Sequence, residues 1–512
     1  MDKLYGLDTE YFIGNGMKDI VIFGGGTAGW LTALLVKQNY QNLNVTLIES
    51  SEIGILGAGE GTVPYTISIF DEINIAFSDL VKHCKATVKQ GINFANWNGD
   101  GKSYFHSFGN FDESLDEFRE HLVIKQISDG VKINLLSFPK KTSEAKKVGV
   151  SFKSNIETVF QNPIHSFERY VNWSTHFDAR ELANYLKNVA IRRGIKHVDG
   201  IFKSVSVDEQ NNIKTILLEN DKNIPVDFVF DCSGLARLLI GKHYNTTWKS
   251  FQDHLPLDTA LPFFIQHDNN TCPQTDAIAM KYGWIWRIPV DGRYGCGYVF
   301  DSDYIDENQA LKEAEEYFKQ ELKSPKTFKF NAGTYTKTLV KNCMAIGLAQ
   351  SFVEPLEATS IWIFLVNLKE FIAGDGLYNY QIPAFQKQLN DNCLKRNEEV
   401  VEFLYLHYLT KRKDSKFWIE FREKNKMIDS LQHKIDLLNR NLDVDAIAFT
   451  RRSWVEVSNG LELLDKSFFK EKSKRIDSET QERIIISLNR NQNNVLKKCL
   501  PHKDYLDYLK SF

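Results

Sequence analysis

The chain has 512 residues, 43% of them hydrophobic and 25% charged, enough for two or three structural units with sizeable cores. A formal net charge of -3, with no basic block interleaved with aromatics, argues against a nucleic-acid partner. Seven dispersed cysteines without a CxxC pair read as reduced thiols, the histidines show no metal-ligand spacing, and no leader or membrane-length apolar run is visible, so a metal-free cytoplasmic protein is expected.

After a polar lead, "KDIVIFGGGTAGWLTALLVKQ" gives a short apolar strand, a glycine turn and a helix, and "LNVTLIES" gives a second strand ending in an acid. Gly24, Gly26 and Gly29 form GxGxxG in that turn. The first glycine suits the tight bend, the second lets backbone approach a pyrophosphate, and the third lets helix and strand pack closely. Thr27 and Ala28 open the helix, whose free N–H groups favour phosphate. Glu49 stands where an acid hydrogen-bonds an adenosine ribose. The expected fold class is therefore α/β, with a Rossmann-like FAD-binding module of the monooxygenase type. A second glycine-rich bend, "GAGEGTVP" at 57–64, brings Glu60 and Gly61. "DCSG" at 231–234 and "AIGLAQSFVEP" at 345–355 lie where FAD monooxygenases return the chain to the cofactor, which favours FAD, with NAD(P) second.

Residues from about 95 to 170 show no periodic element and read as an insertion. "STHFDARELANYLKNVAIRRGIKHV" predicts a capped amphipathic helix and then a strand, and a hairpin turning at Asn211 and Asn212 follows. "VDFVFDCSG" predicts a buried strand, and further strands fall near 260–266, 283–289 and 294–300. From about 380 the pattern is mainly helical. The division expected is an FAD module over 18–380, carrying the insertion, and a helical substrate-covering module over 381–512.

"GWIWRIP" at 283–289 places Trp284, Trp286 and Ile288 on one strand face, with Pro289 expected to end the strand. Two readings stay open: an aromatic wall shielding a reactive centre, or bulky core packing at a domain junction.

GxGxxG, "GWIWRIP" and "FVEPLEATS" together resemble the flavin-dependent halogenases of the tryptophan-halogenase type, whose WxWxIP signature matches Trp284, Trp286, Ile288 and Pro289. The similarity runs from about residue 18 to beyond Ser453 and Trp454. In that family reduced FAD, supplied as FADH2 by a separate NAD(P)H flavin reductase, reacts with O2 to a flavin hydroperoxide. Halide attacks it, and hypohalous acid travels to a lysine beside an aromatic substrate. The resemblance of "CKATVKQGINFANW" puts that lysine at Lys89, which alone would read as a solvated surface charge. It implies that Lys89 either hydrogen-bonds hypohalous acid or becomes a haloamine, and that Glu357 orients oxidant or takes the arenium proton. Thr359 and Ser360 match the backbone positions that hold halide, Leu348 and Ile361 match flavin contacts, and Val198 is placed near the adenine.

The chain departs from the family pattern at Ala358, usually serine, and at Ser360, usually glycine, which is expected to restrict the backbone beside the halide. Bromide and iodide are expected to be accepted, and chloride is left open. Richness in Lys, Asn and Ile suits an outlying, phage-encoded member. Trp454 and the aromatics of "EFLYLHYL" are candidates for lining the substrate pocket. An aromatic hydroxylase and an inactive FAD-binding scaffold are the alternatives, and a homo-oligomer is left open.

Overall fold

The computed structural model describes residues 16–52, 59–108, 123–128, 138–148, 173–324, 326–475 and 477–511. Ile20, Val21 and Ile22 are wholly buried, as a short β-branched run does when covered on both faces. They form the strand Asp19–Phe23, which pairs in parallel with Asn44–Glu49 on one side and Phe228–Asp231 on the other. Lys196–Asp199, Cys343–Ala345 and the antiparallel edge Leu339–Val340 complete a six-stranded sheet. Gly24, Glu49, Asp231 and Ala345 thus share the carboxyl edge, where open α/β sheets bind ligands.

One face of this sheet packs on the helices Thr27–Asn39, Ala179–Arg192 and Thr359–Ala373. The Asp178 carboxylate accepts from the amides of Arg180 and Glu181 and caps the second of these, as its sequence suggests. The other face packs on the predicted hairpin, Phe202–Val207 with Ile213–Leu218, in which Asn211 takes the left-handed φ of 65°.

A second sheet of seven strands runs Phe328–Lys329, Thr259–Gln266, Arg293–Phe300, Gly283–Val290, Thr275–Met280, Gly91–Ala95 and Ser103–Ser107. Its last strand lies within 95–170, so that stretch carries more order than its sequence suggests; a helix over 123–128 and another at Phe138–Glu144 lie there too. Much of the remainder, at 109–122, 129–137 and 149–172, lies outside the described residues, as do residues 57 and 58 of the second glycine bend. Trp284, Trp286 and Ile288 do share one face, which enters an apolar cluster with Phe403, Leu404 and Trp454. Each buried indole removes roughly 200 Å² from water, worth at most about 5 kcal/mol. Pro289 does not end the strand, which continues to Val290. Its carbonyl is used instead, accepting a 2.6 Å hydrogen bond from the Thr87 hydroxyl.

A third, three-stranded sheet joins these parts. Ser174–Asp178 is its centre, with Gly59–Gly61 on one edge and Thr87–Lys89 on the other. Beyond residue 380 the long helix Pro383–Tyr408 leads a helical region that ends in the strand Leu500–Pro501, paired with Lys147–Val148, and the helix His502–Lys510. Among the described residues no helix is long and apolar enough to cross a membrane.

Candidate active site

The glycine turn divides its work as its spacing suggests. Gly24 has φ 126°, and a Cβ there would stand 2.1 Å from the Cys232 carbonyl oxygen. A Cβ on Gly29 would stand 1.9 Å from the Gly24 carbonyl oxygen, whereas one on Gly26 would meet nothing within 4 Å. The helix Thr27–Asn39 has no side-chain cap, so its first amides are free for an anion laid across Gly26. Glu49 Oε1 accepts from Lys187 Nζ at 2.7 Å and His197 Nε2 at 2.9 Å, and Oε2 lies against Gly25. "DCSG" and "AIGLAQ" both return here: the Cys232 amide donates to the Phe23 carbonyl, and Gly347, next to Leu348, abuts Ala28. Val198 pairs with Ile48, one residue before Glu49, and Ile361 is buried against the same core as the helix. An open floor, free amides and a nearby acid fit the pyrophosphate and ribose of FAD.

Lys89 is not a surface charge. Its side chain is fully buried, its amine has no hydrogen-bond partner among the described residues, and it lies 5.1 Å from the centroid of the Phe108 ring. A methyl group built on Gly61 would stand 3.2 Å from Nζ, so the glycine-bend strand and the lysine are direct neighbours. Burial lowers the lysine pKa to about 7, with the Glu357 charge opposing only part of the shift. Burial, reinforced by Asp178, likewise pushes the Glu60 carboxyl up to about 7.

The lysine strand is pinned by imidazoles from distant segments. His502 accepts the Val88 amide on Nε2 at 3.2 Å and donates from Nδ1 to the Thr271 carbonyl at 3.2 Å. Those bonds need a neutral ring, and burial lowers its pKa to about 4. Thr87 commits its hydrogen to Pro289, so its oxygen accepts from His176 Nδ1, and His176 Nε2 accepts from Thr275.

Glu357 is also buried, with both oxygens engaged. Oε2 accepts from His106 Nδ1 at 2.8 Å and Oε1 from His407 Nε2 at 3.0 Å. The Tyr104 hydroxyl donates to His407 Nδ1 at 2.7 Å. Burial alone would raise the Glu357 pKa, but the charge and hydrogen bond of His106, then those of His407, bring it down to about 2. Burial alone would lower His106, but the Glu357 charge outweighs it and raises the imidazole pKa; for His407 burial wins and the ring stays neutral. The result is a carboxylate–imidazolium pair with a neutral imidazole and a phenol behind it.

After the turn Pro355–Glu357, Ala358 takes the left-handed φ of 55° and the helix Thr359–Ala373 begins, again without a side-chain cap. Thr359 is buried, with its hydroxyl making no hydrogen bond among the described residues. Ser360 does not have positive φ, so the expected cost of losing glycine there is absent; the left-handed residue is Ala358. On the tryptophan strand, the Trp284 indole N–H donates to Glu354 at 3.0 Å, and Trp286 lies over Gly297, where a Cβ would stand 2.0 Å from the ring.

Sequence reasoning missed Tyr104, His106, Glu354, His407 and His502. Glu354 and His407 carried a usable signal, since each is a polar residue inside an apolar run, "SFVEPL" and "FLYLHYL". Trp454 is fully buried and packs edge-on against Phe403, with its indole N–H unpartnered.

The family described as tryptophan halogenase matches residues 19–473. Tryptophan 7-halogenase RebH of Lentzea aerocolonigenes is 30% identical to this chain over 84% of it and 83% of that protein. Among solved structures, BrvH, a flavin-dependent halogenase from Brevundimonas sp. BAL3, superposes with a TM-score of 0.85 at 27% identity, covering 96% of this chain and 99% of that one. Xcc4156, a flavin-dependent halogenase from Xanthomonas campestris, gives a TM-score of 0.85 at 25% identity, covering 96% and 98%. These relatives give no support to a phage origin. A chain in which the family match, the shared fold and a buried lysine beside Gly61 all coincide belongs to the tryptophan-halogenase family of flavin-dependent halogenases, enzymes that use FAD and O2 to halogenate aromatic substrates.

Proposed function

We propose that Lys89 and Glu357 carry halogen transfer to an electron-rich aromatic or heteroaromatic small molecule, with bromide and iodide as accepted halides. Bound reduced FAD, delivered by a separate flavin reductase, supplies hypohalous acid from O2 and halide. The residues of the glycine turn, Gly24, Gly26, Thr27, Ala28, Gly29 and Glu49, hold its dinucleotide part, and Glu60, Gly61, Val198, Leu348 and Ile361 lie along it. Thr359 and Ser360 offer the uncapped amides of a helix start to halide, and Trp284 and Trp286 keep water from the oxidant.

The observation that carries this reading is the Lys89 amine: wholly buried, without a hydrogen-bond partner among the described residues and beside Gly61, within reach of the Glu357 charge. A lysine with pKa about 7 offers neutral amine for halogenation and ammonium for hydrogen bonding at neutral pH. Glu357, held ionised, stabilises the cation that forms when the ring is attacked and is the group that takes the proton that leaves.

The test supplies the protein with a flavin reductase, FAD, NADH, O2 and bromide, iodide or chloride, and screens indoles and phenols by mass spectrometry. Wild type is expected to add bromine or iodine. Lys89→Ala is expected to lose product by about a thousandfold, a transition-state loss of about 4 kcal/mol, with flavin reoxidation intact. Normal halogenation by Lys89→Ala overturns the lysine's role, and hydroxylated product in place of halogenated product overturns the reaction.

A further inference from the structure

Consecutive residues of one helix grip two acids three positions apart: His407 donates to Glu357, and Tyr408 donates to Glu354. Glu354 is fully buried. Its Oε2 accepts from both the Tyr408 hydroxyl and, at 3.0 Å, the Trp284 indole N–H, and the Leu257 amide lies close enough to favour its charged form. Both donors are neutral, so nothing bonded to this carboxyl compensates a negative charge. Burial pushes the carboxyl up to about 7, offset only in part by the hydrogen bonds of Tyr408 and Trp284 and by the Leu257 amide.

We propose that Glu354 is a positioning residue for halogenation, its one shared oxygen fixing the tryptophan strand, the end of the helix Pro383–Tyr408 and the Glu357 loop in a single arrangement. Three elements meet at that atom, and each bears on the chemistry. The strand Gly283–Val290 also holds, through the Pro289 carbonyl, the Thr87 hydroxyl two residues before Lys89. The helix end brings His407 to Glu357, and the loop leads through the left-handed Ala358 to Thr359. A shift of Trp284 therefore reaches both the lysine strand and the carboxylate. This explains why the second half of the aromatic wall's work needs an indole: a phenyl ring would pack but could not donate. The inference rests on the reading in which Lys89 and Glu357 handle the halogen.

The test compares Trp284→Phe, Glu354→Leu, their double variant and Glu354→Gln in the full chain with flavin reductase, FAD, NADH and bromide. Product per flavin reoxidised is measured beside the reoxidation rate. Glu354→Leu is expected to lower that yield about tenfold and Trp284→Phe several-fold, with reoxidation within about twofold of wild type, since the leucine removes both hydrogen bonds and the phenylalanine only one. The double variant should be no worse than Glu354→Leu, because both remove the same bond. Glu354→Gln, whose carbonyl oxygen can accept from both donors, should retain most of the yield. Additive losses, or wild-type yield from folded Glu354→Leu, overturn the proposal. Hydrogen exchange at the amides of 353–360 gives a second readout that needs no halogenation. Trp284→Phe should speed it, and unchanged exchange overturns the proposal, whereas a wild type that makes no halogenated product overturns the Lys89 reading alone.

Discussion

Glu354 and Glu357 sit on one loop, equally shut off from water, yet their proton affinities part in opposite directions: up to about 7 for the first, down to about 2 for the second. Depth of burial is common to both, so it cannot be what separates them. The donors separate them. Glu357 faces two imidazoles, one of them with its pKa raised by the pairing, while Glu354 faces an indole and a phenol that carry no charge. Desolvation opposes charge at both acids, and only a compensating cation reverses the outcome. One acid of the loop is thus held ionised, and its neighbour is pushed toward its neutral form.

The largest effect expected from breaking this contrast is in Glu357→Leu, which strips a buried imidazolium of its partner. It should cost about 3 kcal/mol of folding stability, read as a lower urea midpoint at neutral pH, together with loss of halogenated product. A finer outcome concerns pH. Glu357 is more acidic folded than its ordinary 4.5, so its contribution is fully present above about 4.5 and lost as pH falls toward about 2. Glu354 is less acidic folded, so its contribution is present below about 4.5 and lost as pH rises toward about 7. Urea midpoints across pH should therefore show Glu357→Gln flattening the acid limb and Glu354→Gln flattening part of the decline between about 4.5 and 7. Glu60, raised to about 7, and Asp301, raised to about 6, act in the same direction over that window, and His502, lowered to about 4, opposes them. The smallest effect is Ala358→Gly, expected to stabilise by about 1 kcal/mol by relieving the left-handed backbone between the two acids and the helix, and seen as a small rise in melting temperature.

How much of this was legible in the chain follows from sequence distance. The glycine turn is local: strand, bend, helix and acid lie within 19–49, and a Cβ at Gly24 or Gly29 would meet a backbone oxygen, as their spacing implies. The alternation of the tryptophans was equally local, although the proline inside that strand was tolerated, because it lies one residue from the strand's end. Lys89 was found only through family resemblance, since nothing in its neighbours marks it as buried. His106, His407 and Tyr104 meet through contacts spanning 251, 50 and 303 residues, which no periodicity encodes. The concern over Ser360 looked at the right turn and the wrong residue, because which position turns left-handed depends on how the loop enters the helix.

The bond from the Val88 amide to His502 spans 414 residues. Closing so long a loop has an entropic cost that must be met before the contact returns anything. The parallel sheet around the glycine turn needs no such closure between its first two strands. In refolding from denaturant, hydrogen-exchange protection is therefore expected to return to the paired strands Asp19–Phe23 and Asn44–Glu49 before it returns to the Val88 amide.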